Sequence, residues 1–344
     1  MNETLILQRS LHPFNRAIFR KASFTIAAVV IGWWIAAGAY SLPLPVLAVA
    51  TSNNQIHIYG TKGGQRALIS SGFSPVTAMI FAPDGHAVFG GSQNQAIQWW
   101  SPSDGTLIGS ISPSGVINSG ISAGPDDVLS MATSPDGQFL ATGNHDHDLR
   151  LYNIASSHLV WSVPAHSAAV TSVAYSPAGD QIATASADRT IRFWTTKGNL
   201  VATIVAQEEP ITGIAYLNGG ANLISVSLDG TVKVWDCRNG GLVNRTRLNM
   251  NGLTCIALSP DSTVAAIGGS NGKVYLVQLP SCFQSRVLNG GLSAVQALGW
   301  SSDGNPLVSA DQGSMLRYWD AHSGQLVAKL MVGGAITAMA VSPN

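Results

Sequence analysis

From residue 46 onward the chain is built from short runs in which apolar and polar residues alternate. One representative unit contains the runs AVTSVAYS (169–176), QIATAS (181–186), TIRFW (190–194) and LVATIVA (200–206). The segments between the runs are rich in Pro, Gly, Asp and Asn, which favour tight turns. Alternation with a period of two residues, interrupted by frequent turns, predicts antiparallel β-strands.

The four-strand unit recurs along the chain with nearly constant spacing. The residues that end the third run of each unit lie 41 or 42 residues apart, except for one gap of 52 residues. These residues are Tyr59, Trp100, Tyr152, Trp194, Trp235, Val277 and Trp319. The longer gap places an insertion within residues 112–127. A repeat of this length with four strands is typical of one blade of a β-propeller.

Counting the units predicts how the propeller closes. Six complete units run from residue 75 to about residue 334. Residues 46–71 supply three strands that lack a first strand, and residues 335–344 supply a first strand with nothing after it. Joined together, the two fragments make a seventh blade, and their pairing removes the sheet edges that an open ring would leave. We therefore expect an all-β, seven-bladed propeller over residues 46–344, closed by its N- and C-terminal strands.

The units resemble WD40 repeats. The sequences VWD (234–236) and YWD (318–320) match the dipeptide that gives the repeats their name. The resemblance implies a hydrogen-bonded network in the most complete unit, in which a buried indole N–H finds a polar partner. The residues at the corresponding positions are His166, Ser186, Asp188 and Trp194. Other units depart from the pattern: Val277 stands in place of the Trp, and Asn94 and Asn271 stand in place of the turn Asp.

The first 45 residues differ from the rest. Residues 1–21 carry a net charge of +3, residues 22–40 contain no charged residue, and residues 41–45 read SLPLP. An apolar helix over residues 22–40 would just span a bilayer core of about 30 Å. Because basic residues precede it, we expect a cytoplasmic N-terminus and a propeller on the extracytoplasmic side, periplasmic or lumenal. The alternative is a secretory signal cleaved near Ala39, after the small-residue sequence AGA.

Composition limits the classes of partner. Charged residues make up 10% of the chain, against about 25% in average proteins, and the net charge is zero. Nothing in this balance recruits nucleic acid. No phosphate-binding glycine motif and no catalytic triad order is present, so we expect no cofactor and no small-molecule substrate. If residues 22–40 anchor the chain, the short Pro-containing linker keeps the propeller near the membrane, and membrane proteins are the expected partners.

The sequence NHDHD at residues 144–148 is the strongest candidate for chemistry. Its His and Asp residues are of metal-ligand type, but a metal site also needs ligands that converge from elsewhere. We favour an exposed polar turn and predict no metal site.

Propeller enzymes such as quinoprotein dehydrogenases and lactonases need several acidic ligands at the central channel, and the predicted inner strands contain no acidic residue. Catalysis is therefore disfavoured.

Two surfaces are candidates for partner contact. One is the inserted loop at 112–127, and the other is the face that carries the turns between second and third strands. The residues assigned to that face are His145, His147, His166, Arg189 and Asp229. Trp99 is added as a contact, because we expect one ring of the pair Trp99–Trp100 to point outward.

Three functions remain in competition at this point. The first is a non-catalytic, membrane-anchored WD-repeat scaffold that mediates protein–protein interaction as a subunit or assembly factor of a membrane complex. The second is an exported soluble propeller that acts in envelope protein assembly. The third, an enzyme, is the least favoured. Fold alone does not choose among them.

Overall fold

The computed structural model of the protein describes residues 46–60, 63–72, 74–93, 96–111, 127–217 and 219–343. Within these ranges the chain forms 28 β-strands, arranged in seven four-stranded antiparallel sheets. The predicted seven-bladed, all-β propeller is thereby confirmed. The basic segment 1–21, the predicted membrane span 22–40, the linker 41–45 and residues 112–126 of the insertion lie outside the described residues.

Six blades are formed by consecutive strands and one by both ends of the chain. Blade 1 contains β4 (Val76–Phe81), β5 (Val88–Ser92), β6 (Ile97–Trp100) and β7 (Leu107–Ile111). Blade 2 contains β8 (Val128–Thr133), β9 (Phe139–Asn144), β10 (Asp148–Asn153) and β11 (His158–Pro164). Blade 3 contains β12 (Val170–Tyr175), β13 (Gln181–Ser186), β14 (Thr190–Thr195) and β15 (Leu200–Val205). Blade 4 contains β16 (Ile211–Tyr216), β17 (Asn222–Ser227), β18 (Thr231–Asp236) and β19 (Leu242–Arg247).

The remaining blades complete the ring. Blade 5 contains β20 (Leu253–Leu258), β21 (Val264–Gly269), β22 (Lys273–Gln278) and β23 (Phe283–Asn289). Blade 6 contains β24 (Val295–Trp300), β25 (Leu307–Asp311), β26 (Met315–Trp319) and β27 (Leu326–Met331). The closing blade contains β28 (Ile336–Val341), β1 (Leu47–Thr51), β2 (Gln55–Tyr59) and β3 (Gln65–Ser70), in that spatial order.

The two ends of the ring meet in the pairing of β1 with β28. Leu47 lies opposite Val341 and Ala50 lies opposite Ala338 in an antiparallel register. The Ser342 amide extends the pairing by donating to the Val46 carbonyl at 2.9 Å. The C-terminal strand therefore supplies the innermost strand of a blade whose other three strands come from the N-terminal side of the propeller.

Threonine hydroxyls tie several of the inner strands to their neighbours. The Thr337 hydroxyl donates to the Val76 carbonyl at 2.6 Å, which links the closing blade to blade 1. Thr171 and Thr254 make the same contact between blades 3 and 4 and between blades 5 and 6, also at 2.6 Å. Each bond joins strands some forty or more residues apart in sequence, so the ring closes at its centre as well as within its last blade.

Both faces of each blade are buried against other blades. Leu47 and Val49 of β1 pack with residues of blade 6, whereas Ala48 and Ala50 pack with residues of blade 1. Successive side chains of a strand point to opposite faces of its sheet. Because neighbouring blades cover both faces, all five residues of β1 are buried.

One end of the propeller carries the loops that link successive blades. Antiparallel strands send alternate connections to the same end, so the turn between the second and third strands of each blade lies there too. Backbone bonds join these turns to the linking loops: the His145 amide donates to Asp127 at 2.9 Å, and the Ala187 amide donates to Ala169 at 3.1 Å. We name this end the blade-linking face. Its described turns are 52–54, 145–147, 187–189, 228–230, 270–272 and 312–314.

Across the described ranges the secondary structure is made of strands, and they include no helix with the length and apolar character of a membrane span.

Candidate functional site

Blade 3 contains a continuous hydrogen-bonded chain that runs from its core to the blade-linking face. The Trp194 indole N–H donates to the Thr184 hydroxyl at 2.9 Å. Thr184 lies 2.7 Å from Nε2 of His166, and Nδ1 of His166 lies 3.0 Å from the Asp188 carboxylate. Asp188 also accepts the Ser167 amide at 3.1 Å and the Thr190 hydroxyl at 2.7 Å. The network therefore connects the third strand, the second strand and the linking loop of one blade.

The environment sets the protonation of this chain. Burial lowers the pKa of His166 below its ordinary value, although the Asp188 carboxylate acts in the opposite direction. Burial raises the pKa of Asp188, but hydrogen bonds from Thr190 and the Ser167 amide outweigh that effect and hold its pKa far below the usual range. A neutral His166 then donates from Nδ1 to ionised Asp188 and accepts the Thr184 hydroxyl at Nε2. This arrangement accounts for every polar atom of the network without assigning it any chemistry.

The structure corrects one member of the predicted network. The WD40 resemblance predicts Ser186 at this place, but the residue that contacts both His166 and Trp194 is Thr184. Both residues lie on the same face of β13, two positions apart, and Ser186 sits at the strand end, where its hydroxyl donates to Ala168 and accepts the Asp188 amide. Blades 4 and 6 follow the same rule: the indole donates to the hydroxyl ten residues earlier, at 2.9 and 2.8 Å. Those pairs are Trp235 with Ser225 and Trp319 with Ser309.

The structure places four of the predicted contact residues on corresponding turns of the blade-linking face. His145 and His147 lie on the turn of blade 2, Arg189 on that of blade 3, and Asp229 on that of blade 4. His145, His147 and Arg189 are exposed, and Asp229 is half-buried, with its carboxylate accepting both the amide and the hydroxyl of Thr231. His166, the fifth residue assigned to this face, is buried beneath the turn in the network.

His147 and Arg189 both have a left-handed backbone. Their φ angles are 76° and 71°, in a region that residues other than Gly seldom adopt. Each turn is held there by two hydrogen bonds: the His147 carbonyl accepts the amides of Ala165 and His166, and the Arg189 carbonyl accepts those of Ala206 and Gln207. The backbone geometry therefore comes from the contact with the linking loop.

Blades 4 and 5 place Gly at the same position of the turn. Gly230 and Gly272 have φ angles of 85° and 76°. A side chain on Gly230 would meet the Met250 carbonyl at 1.9 Å, and one on Gly272 would meet the Gly291 carbonyl at 2.3 Å. In those blades the linking loop occupies the space that the His147 and Arg189 side chains use in blades 2 and 3. Sequence reasoning missed this difference, although the aligned turns HDH, ADR, LDG and SNG contain it.

The sequence NHDHD forms the turn between β9 and β10. The Asp146 carboxylate accepts the Asp148 amide at 3.2 Å and contacts the Arg150 guanidinium, which also lies 3.4 Å from Asp148. Arg150 is buried, so the two carboxylates face a cation supplied by the same hairpin. Among the described residues, no three His, Cys, Asp or Glu side chains are placed to hold a metal ion.

Trp99 does not contribute to the blade-linking face. The expectation that one ring of Trp99–Trp100 points outward is wrong, because the two residues are only 6% and 3% exposed. They do point to opposite faces of β6, but each face is covered by another blade: Trp99 packs with blade 2 and Trp100 with the closing blade. The Trp99 ring also lies 5.5 Å from that of Phe89 and occupies the space over Gly109.

Comparison with known proteins gives a family match. The model of the family described as Nucleolar protein 10-like, N-terminal domain, a β-propeller, matches residues 125–296, which is half of the chain.

Three curated relatives share parts of the sequence. Actin-interacting protein 1 of Drosophila melanogaster is 39% identical over 72 residues, which cover 20% of this chain and 12% of that protein. Autophagy-related protein 16 of Arabidopsis thaliana is 27% identical over 186 residues, 54% of this chain and 29% of that protein. Apoptotic protease-activating factor 1 of Mus musculus is 25% identical over 182 residues, 52% of this chain and 14% of that protein.

The aligned part of the chain thus spans less than a third of the length of these relatives. Together with the family match they support the WD40-type β-propeller that the repeats predict.

Proposed function

The chain belongs to the Nucleolar protein 10-like, N-terminal domain family of β-propellers, and from this premise we propose that it is a non-catalytic, membrane-anchored scaffold. In this proposal residues 22–40 hold the protein in a membrane, and the turns of the blade-linking face bind a protein partner in a membrane-associated complex. The relatives support the interaction role in general terms. The membrane anchor rests on the uncharged stretch at 22–40 and its basic flank.

The observation that carries the binding site is the exposed pair His147 and Arg189 at positive φ. A left-handed backbone costs a residue with a side chain about 1–2 kcal/mol, and blades 4 and 5 avoid that cost with Gly230 and Gly272. Strained residues that persist on an exposed surface tend to serve function. Imidazole and guanidinium groups donate hydrogen bonds, so the matching partner surface presents carboxylates or backbone carbonyls.

The adjoining turn of blade 4 adds an apolar contact to this polar pair. Leu228 is 40% exposed on the turn that also carries Asp229. Binding sites for proteins commonly combine a few polar anchors with an apolar side chain that loses its water on association. The proposed site therefore extends over the turns of blades 2, 3 and 4.

The test replaces the strained residues with the residue that blades 4 and 5 use. The double variant His147→Gly and Arg189→Gly keeps the backbone hydrogen bonds and relieves the strain, so its stability should be unchanged or higher by up to about 1 kcal/mol. Tagged full-length protein is purified from detergent-solubilised membranes of its source organism, and co-purifying proteins are quantified by mass spectrometry. A stoichiometric membrane partner should appear with the original sequence and be lost from the double variant.

A matched control separates partner binding from general effects of glycine. Ser314 occupies the same turn position in blade 6, at φ 71°, and Ser314→Gly should leave the partner bound. If the double variant keeps its partner, the site assignment is wrong. If the original sequence brings no stoichiometric protein, the scaffold proposal itself is wrong.

The N-terminus of the mature protein distinguishes the anchored form from an exported form. Retention of residues 1–39 in the purified protein supports the anchor at 22–40. A mature N-terminus near residue 40 would follow from cleavage after AGA at residues 37–39 and would favour an exported propeller acting in envelope assembly. Mass spectrometry of the intact protein gives this answer from the same preparation.

A further inference from the structure

A cavity of about 320 Å³ lies between blades 2 and 3, at the end of the propeller opposite the blade-linking face. It is placed there because the turns that line it join first to second strands, and such turns alternate with those of the blade-linking face. Its walls are largely apolar and come from both blades. The side chains that form them are those of Pro135, Phe139, Leu151, Val160, Tyr175 and Ala178. Cavities of this character, apolar with a few polar groups, are the usual sites of small ligands.

The polar group that distinguishes this cavity is the hydroxyl of Tyr175. It is buried, and among the described residues it has no hydrogen-bond partner. Burial raises the pKa of Tyr175, so the hydroxyl keeps its proton and can donate it to an acceptor. A buried tyrosine hydroxyl usually has a partner, since a buried polar group left unsatisfied destabilises the folded chain. The cavity therefore contains a donor for which the described part of the protein supplies no acceptor.

Other blades satisfy the equivalent group. Tyr216 and Trp300 end the inner strands of blades 4 and 6, as Tyr175 does in blade 3. The Tyr216 hydroxyl donates to the Gln181 side chain at 2.8 Å, and the Trp300 indole N–H donates to a backbone carbonyl of blade 5 at 3.1 Å. Gln181 is the first residue of β13, and the first residue of β9 is Phe139. Blade 2 thus places an apolar ring where blade 3 provides the acceptor.

Charge limits what the cavity can hold. The corresponding cavity between blades 5 and 6 is larger, at about 480 Å³, and is lined by Asp261, Asp303 and Arg286. Of the described residues that line the cavity between blades 2 and 3, Asp136 is the charged one, and no basic side chain accompanies it. An anion there would meet a carboxylate without a compensating cation. An uncharged ligand would lose little by leaving water for these apolar walls.

We propose that this cavity binds a small, uncharged carbonyl compound whose oxygen accepts the hydroxyl of Tyr175. Its apolar body packs against Phe139 and Leu151, and its oxygen supplies the contact that Gln181 supplies to Tyr216 in the next pair of blades. At about 30 Å³ for each water of the liquid, the volume equals about ten waters, which suits a ligand of about ten non-hydrogen atoms. For a ligand of that size we expect a Kd of about 1 mM.

The binding experiment uses the full-length chain in lipid nanodiscs, with isotope-labelled methyl groups on Leu and Val. Acetophenone, an uncharged aromatic ketone, is added from about 0.1 to 10 mM, a range that brackets the expected Kd. The methyl NMR signals of Leu151 and Val160 should shift and approach saturation. Benzoate has the same size but is an anion, and it should bind at least about tenfold more weakly.

Tyr175→Phe tests the hydrogen bond while keeping the walls of the cavity. It should weaken acetophenone binding about 3- to 10-fold, the usual contribution of one hydrogen bond between neutral groups. Because the hydroxyl it removes is unsatisfied, the thermal midpoint should stay the same or rise. Tyr216→Phe is the matched control: it removes a hydroxyl that Gln181 already accepts, so acetophenone should bind with unchanged affinity.

Phe139→Gln transfers the acceptor of blade 3 to blade 2. The new side chain should take the Tyr175 hydroxyl, as Gln181 takes that of Tyr216, and so weaken acetophenone binding at least as much as Tyr175→Phe. Absence of saturating shifts, equal binding of benzoate, or full affinity in Tyr175→Phe would overturn the proposal. So would a lower thermal midpoint of Tyr175→Phe, which would show that the hydroxyl already has a partner. These measurements concern the end of the propeller opposite the blade-linking face, so their failure leaves the protein-binding site there untouched.

Discussion

Blades 3 and 5 have the same strand register but different chemistry at their centres. In blade 3, Trp194 lies opposite Ile182 and donates its indole N–H to Thr184. In blade 5, Val277 takes the position of the Trp, opposite Ala265, and Ile267 takes the position of Thr184. Val277 and Ile267 are fully buried. One blade therefore has a buried polar pair where the other has an apolar pair.

Blade 5 forms without the hydrogen-bonded network of blade 3, so a blade does not require this network. Replacing both partners of a buried hydrogen bond with apolar groups can be nearly neutral for stability. What the network adds in blade 3 is a fixed connection from the core to the blade-linking face, since Asp188 accepts the Ser167 amide next to the turn that carries Arg189. The corresponding turn of blade 5 carries Gly272. Blade 3, with its polar centre, thus lies beneath the proposed binding residue Arg189. Blade 5, with its apolar centre, lies beneath Gly272.

Removal of residues 335–344 should destabilise blades 3 and 5 alike, because both blades depend on the closed ring. The deletion removes β28, its pairing with β1 and the bond from Thr337 to Val76. We expect loss of the cooperative unfolding transition, measured by circular dichroism during heating. Thr337→Val, which removes only the inter-blade bond, should cost about 1 kcal/mol and keep the transition. An unchanged thermal midpoint in the deletion would contradict this account of closure.

The ring itself could be predicted because two periodicities agree. Alternation gives the strands, and the spacing of 41 or 42 residues gives the blades and their count. Alternation places the rings of Trp99 and Trp100 on opposite faces of a strand, but it does not reveal that neighbouring blades cover both faces. It also cannot choose between Thr184 and Ser186, which share one face of β13. The left-handed backbone of His147 and Arg189 depends on hydrogen bonds to a linking loop. In the sequence, only the alignment of these residues with Gly230 and Gly272 indicates that conformation.

Thr184→Val tests whether the polar centre of blade 3 depends on its middle member. The substitution keeps the shape but leaves the Trp194 indole N–H and Nε2 of His166 without their partner. A buried group left unsatisfied costs about 1–3 kcal/mol, and we expect a loss of that size in urea denaturation of the full-length chain.

The matched control lies at the equivalent position of blade 5. Ile267→Val removes one methylene from an apolar environment and should cost about 0.5–1.5 kcal/mol. The two variants should also differ in hydrogen exchange. Replacing Thr184 should speed exchange at His166, and replacing Ile267 should not. Equal losses from the two variants, without that change, would show that the network adds nothing beyond packing.

His166→Gln should have the smallest effect at neutral pH and a distinct effect in acid. Blade 4 already uses Gln at this position: Gln207 donates to Ser225 at 3.0 Å and accepts the Thr231 hydroxyl at 2.7 Å. The variant can therefore reproduce most of the network, and we expect a cost of about 1 kcal/mol or less at pH 7.5.

Acid should narrow the difference in stability between the original protein and the glutamine variant, because His166 is buried in its neutral form. Its pKa in the folded protein lies below its ordinary value, so the unfolded chain takes up a proton near pH 6.5 and the folded chain does so only at lower pH. As the pH falls below about 6.5, the original protein therefore loses stability that the glutamine variant retains. Asp188, whose pKa is also lowered, remains ionised in this range, and its own contribution is lost only below about pH 4. Urea midpoints measured between pH 7.5 and 5 should thus converge, whereas parallel curves would mean that His166 is protonated as easily in the blade as in the unfolded chain.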